Sequence, residues 1–88
     1  MNSGTKKPKS SSSKANLSEA LARARTAVQL DQAQYHDGAR KYYIEACELL
    51  DRVIVRASNA ADIKKLSDVR RSYTDRIKQL DLLLSPTS

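Results

Sequence analysis

Twenty-two residues, Tyr35 to Arg56 (YHDGARKYYIEACELLDRVIVR), carry apolar side chains at Ala39, Tyr42, Tyr43, Ala46, Leu49, Leu50, Val53 and Ile54. Steps of three and four residues draw one continuous stripe along an α-helix. A helix of that length runs roughly 33 Å, the width of a small domain. Ile44, Cys47 and Val55 lie off the stripe. The spacing therefore predicts a central helix that touches two neighbours and keeps an additional apolar edge.

The chain has 88 residues, enough for one small domain, which buries only about 60% of its unfolded surface. A large enclosed active site is not expected at this size. Two Gly, two Pro, no Trp and no Phe favour helices over the turn-rich sequence of a β-protein. No apolar run approaches the ~18 residues that cross a bilayer. The opening MNSGTKKPKS lacks the apolar core of a signal peptide. The single cysteine, Cys47, excludes an intrachain disulfide and suits a reducing compartment. A soluble, cytoplasmic, monomeric protein is expected.

The net charge of +6 is unevenly placed. Lys6, Lys7, Lys9 and Lys14 fall in the first sixteen residues, whereas from Leu17 to Leu84 twelve Lys and Arg face ten Asp and Glu. Residues 1–15 are rich in Ser and Lys and poor in large apolar side chains, the composition of a disordered basic leader. These lysines could give weak contact with an anionic membrane, each adding about 1 kcal/mol near such a surface. An alternative reading thus makes the chain a basic helical domain that meets membrane or nucleic acid through its tail. The nearly balanced charge of the remainder gives nucleic-acid binding little support.

A first helix is predicted from Asn16, which with Glu19 matches a capping box. Leu17, Ala20, Leu21, Ala24, Ala27 and Val28 form its stripe, small enough for a partner helix to come close. Asp31 continues that stripe and must accept hydrogen bonds near the turn, because an unpaired buried carboxylate is costly. The turn is expected over residues 32–37, with Asp37 as cap of the second helix and His36 a partly exposed turn residue. Asn59 and Asp62 can start a third helix whose stripe is Ile63, Leu66, Tyr73, Ile77, Leu80 and Leu84, with Val69 alongside and Pro86 marking the end. Short connections imply an all-α, antiparallel, up-down-up three-helix bundle over residues 16–84, with 85–88 as a terminus or linker.

No catalytic constellation, metal-ligand pattern or cofactor motif is present, and no cofactor is expected. Cys47 lies mid-helix among apolar residues, a setting that suits a packed thiol rather than a nucleophile. Glu48 and Arg52 are spaced as a surface pair on the second helix. Tyr43 and Tyr73 fall on core stripes with their hydroxyls at a boundary.

Taken together, Ala27-Val28, Asp31, then Ala39, Tyr43 and Ala46, and in the third helix Tyr73, Arg76 and Leu80 follow an ordered pattern. It resembles the MIT domain, the microtubule-interacting and trafficking module, over about Leu17 to Leu84. The resemblance implies a non-catalytic bundle whose inter-helix grooves bind short C-terminal segments of ESCRT-III subunits at endosomal or related membranes. It also implies that the parent can be an enzyme, such as an AAA ATPase or protease, that the module targets. One binding mode lays an amphipathic Leu-rich helix between the second and third helices; another lays an extended, Pro-containing segment between the first and third. For the former, the candidate groove residues are Ile44, Cys47, Asp51, Val55, Val69, Thr74, Asp75, Lys78 and Leu82. Thr74 stands where the family often has Leu, and Lys78 where it often has an acidic residue. Loss of an apolar anchor and reversal of a rim charge turn the expectation toward a more acidic segment, or toward the other groove.

Overall fold

A computed structural model describes residues 9–85, with side chains from Ser13 onward. Three helices follow in order, α1 (Lys9–Gln32), α2 (His36–Arg56) and α3 (Ala60–Leu84). They form the expected all-α bundle with α2 in the middle, packed on α1 along one side and α3 along the other. The backbones of α1 and α3 stay apart and meet only through side chains.

Alanines make the close α1–α2 approach possible. Ala20, Ala24 and Ala27 of α1 and Ala39 and Ala46 of α2 are all buried, so the two backbones meet without long side chains between them. Tyr43, Leu50, Val53 and Leu80 fill the remaining interior. Ala27, Ala39, Tyr43 and Leu80 draw all three helices into one cluster. The Tyr43 and Tyr73 rings pack tilted, with centroids 5.7 Å apart.

Two expected helix starts are corrected. Helix α1 begins at Lys9, seven residues before Asn16, so Asn16 lies within the helix and no capping box forms. Glu19 accepts hydrogen bonds from Arg23 instead. Neither Gly nor Pro interrupts Lys9 to Gln32, and serine costs a helix only about 0.5 kcal/mol relative to alanine, so the Ser-rich stretch can continue it. Of the expected leader, residues 1–8 lie outside the described residues, as does Pro86. Helix α2 starts at His36 with no side-chain cap, and Asp37 sits in its first turn, where a carboxylate favours the helix dipole. Asn59 does cap α3, its Oδ1 accepting from the N–H groups of Ala61 and Asp62.

The α1–α2 turn is closed by backbone. Tyr35 N–H donates to the Leu30 carbonyl at 2.8 Å and Gln34 N–H to the Asp31 carbonyl at 3.0 Å, with Gln34 left-handed at φ 70°. This is a Schellman closure, whose left-handed residue is ordinarily glycine. The backbone strain of Gln34 is removable, and Gln34→Gly is expected to raise the unfolding free energy by about 1 kcal/mol in chemical denaturation.

Candidate functional site

Each helix pair leaves a different surface. Between α2 and α3 lies a cleft of about 470 Å³ lined by Asp51, Ile54, Ser67, Arg70, Arg71, Thr74, Asp75 and Lys78. Ile54 is its sole aliphatic side chain. Arg70 closes across it toward Asp51, with Nη2 donating to Oδ2 at 3.3 Å and Nε 2.6 Å from Oδ1. The Nε–H is not aligned with that oxygen and finds no hydrogen-bond partner. The cleft is therefore a charged surface with an ion pair across it.

Of the nine candidate groove residues, Asp51, Thr74, Asp75 and Lys78 come together there. Cys47 is buried beneath them, its sulfur 3.8 Å from Thr74 Oγ1 and 3.9 Å from the Arg70 carbonyl. Burial pushes this thiol up from its usual value, as befits a packed side chain. Ile44 and Val69 are half-buried outside the cleft. Val55, 81% exposed, borders a recess with Asn16, Asp51, Arg52 and Arg56 instead. Leu82 is 78% exposed beyond the cleft. The expected Glu48–Arg52 pair is not formed; the ion pair of this face joins Asp51 to Arg70. Ile54, Ser67, Arg70 and Arg71 were missed: Ile54 was placed on the core stripe of α2, while the other three lie one and two turns before Thr74 and Asp75, so helical spacing alone would have included them.

The α1–α3 side differs. A recess of about 340 Å³ is lined by Leu21, Ala24, Arg25, Val28 and Gln29 of α1 and Tyr73 of α3. Leu21 and Val28, placed on the core stripe by periodicity, are 43% and 39% exposed. The reason is geometric: Ala20, Ala24 and Ala27 point at α2, while Leu21 and Val28 lie one step round the helix, above the gap that α3 leaves open. Tyr73 is half-buried and forms the opposite wall.

One charged network ties that open side together. Arg76 of α3 donates to Asp31 of α1 through both Nε (2.7 Å to Oδ2) and Nη2 (2.8 Å to Oδ1), and the Tyr43 hydroxyl of α2 donates to Oδ2 at 3.3 Å. Asp31 thus accepts hydrogen bonds as expected, but across the bundle rather than within the turn. The Arg76 guanidinium holds the Asp31 carboxyl below its usual range, against the opposing effect of burial. Desolvation, with Asp31 beside it, raises the Tyr43 phenol.

The described residues form a bundle of three helices with open inter-helix grooves, and no group of His, Cys, Asp and Glu that could hold a metal ion occurs among them. The family model for the MIT (microtubule interacting and transport) domain matches residues 17–81, and the chain belongs to that family. No curated protein and no solved structure matches it. MIT domains are non-catalytic modules that bind peptide motifs of partner proteins. No helix among the described residues is long and apolar enough to cross a membrane.

Proposed function

We propose that this domain binds short C-terminal motifs of ESCRT-III subunits and so brings its parent protein to endosomal or other ESCRT-bearing membranes. The observation that carries the choice of site is the exposure of Leu21 and Val28 on either side of buried Ala24, opposite Tyr73. Seven residues apart on α1, these two side chains are separated by about 10.5 Å. An extended segment in the polyproline II conformation rises roughly 9 Å in three residues and brings every third side chain back to the same side, so anchors three apart can seat on both. The α2–α3 cleft, with Arg71, Lys78 and the Asp51–Arg70 pair, offers a Leu-rich amphipathic helix a single aliphatic contact at Ile54. An extended segment with aliphatic anchors in the α1–α3 groove is the better fit.

Fluorescence anisotropy with labelled ESCRT-III tail peptides tests this. Saturable binding by the wild type is expected by high-micromolar protein, with at least about tenfold weaker binding for Val28→Asp, a loss of about 1.4 kcal/mol. Val28 is surface-exposed, so helicity should be unchanged in that variant. Equal binding by the two proteins would remove the α1–α3 groove as the site. No binding of any ESCRT-III tail would remove the partner class.

A further inference from the structure

At the end of the bundle away from the α1–α2 turn, the early turns of α1, the last turn of α2 and the start of α3 enclose a recess of about 560 Å³. It is larger than either inter-helix groove and shares no lining residue with them. Leu17, Val53 and Leu66, one from each helix, form an apolar floor. Lys14, Arg56 and Lys65 stand exposed on its rim, against the single carboxylate of Asp62. None of these three cations is in an ion pair among the described residues. The amides that begin α3 are not the attraction, since Asn59 already caps Ala61 and Asp62.

From this complementarity we infer that the recess is a second docking site, taking a short acidic segment of a partner protein that carries one large aliphatic side chain. The aliphatic side chain covers the floor of Leu17, Val53 and Leu66, while carboxylates on both flanks meet Lys14, Arg56 and Lys65. Apolar contact supplies affinity, and the charged rim sets orientation and excludes basic segments. Concavity favours a peptide over a bilayer. A lipid headgroup plane would meet the rim cations and leave the floor wet, whereas a protruding side chain fills it. The site is independent of the groove between α1 and α3, so one module can hold two segments.

The test uses the whole chain, ¹⁵N-labelled, with two acetylated and amidated pentapeptides, Asp-Asp-Leu-Glu-Glu and Asp-Asp-Gly-Glu-Glu. The leucine peptide is expected to give saturable shifts at the amides of Leu17, Val53, Ala57 and Leu66, and the glycine peptide to bind at least about tenfold more weakly. The triple variant Lys14→Glu, Arg56→Glu, Lys65→Glu should lose about tenfold or more for the leucine peptide and gain binding of Lys-Lys-Leu-Lys-Lys. All three positions are exposed, so the variant is expected to keep its helices, which circular dichroism checks. Val28→Asp should leave these shifts unchanged even if ESCRT-III tails do not bind, which separates this site from the groove. The inference is overturned by an absence of saturable shifts, by equal binding of the leucine and glycine peptides, or by shifts that follow Val28. It is also overturned if vesicles of phosphatidylserine in phosphatidylcholine, and not the peptide, bind in a manner the triple variant abolishes.

Discussion

Leu80→Ala is expected to lower the unfolding free energy by about 3 kcal/mol, and its neighbour-but-one Leu82→Ala by less than about 0.5 kcal/mol. Leu80 is fully buried where Ala27, Ala39 and Tyr43 bring the three helices together, and these three neighbours, two methyl groups and a ring, cannot extend to fill a void. The removed side chain therefore leaves a cavity as well as a lost transfer free energy. In a domain of this size, 3 kcal/mol is a large share of a total of roughly 5–15 kcal/mol and shifts the melting midpoint by about 15 °C. Leu82 is 78% exposed and has little burial to lose. Thermal and urea unfolding of the two variants side by side reads the difference, and equal effects would mean that α3 packs with a different face toward α2.

Arg76→Met is expected to cost about 2–3 kcal/mol at neutral pH, somewhat less than the roughly 3–5 kcal/mol of breaking a wholly buried pair, because Arg76 remains 35% exposed. Its partner is the more enclosed side: the Asp31 side chain is 12% exposed and would keep only the long Tyr43 hydrogen bond. The pH dependence follows from the depressed carboxyl. A carboxylate held below its unfolded value of about 4 contributes stability that is fully present above that value and is lost as pH falls through the lower folded value. Wild-type stability should thus decline below about pH 4 more steeply than that of Asp31→Asn. The deficit of Arg76→Met should shrink over the same range. Equilibrium unfolding across pH 2 to 7, a range of about five units spanning the carboxylate region, measures both slopes. Parallel slopes for wild type and Asp31→Asn would show that the pair does not form in solution.

The positions at which α2 meets its neighbours were legible in the sequence. Ala39, Tyr43, Ala46, Leu50 and Val53 recur at helical spacing, and each is buried. Asp31 was legible too, as a carboxylate on an apolar stripe that had to find a donor. Its donor, Arg76, lies 45 residues away and was visible only as a motif position. Periodicity identifies the apolar side of a helix without saying how much of that side a neighbour covers. For that reason Leu21 and Val28 read as core, although α1 packs its backbone against α2 alone and leaves them at a gap. The same limit, reversed, affected Cys47. Lying off the main stripe of α2, it read as a groove wall, but α3 crosses directly above it and seals it under Thr74. The start of α1 was hidden for another reason: a run of Ser has neither the apolar pattern that announces a helix nor a residue that forbids one.

The most direct measurement is a ¹⁵N–¹H correlation spectrum of the domain titrated with an ESCRT-III C-terminal peptide. Binding between α1 and α3 predicts saturable shifts concentrated at the amides of Leu21, Arg25, Val28 and Tyr73, with Ile54, Thr74 and Lys78 nearly still. Shifts concentrated at Ile54, Thr74 and Lys78, or no saturable shift with any such peptide, would contradict it.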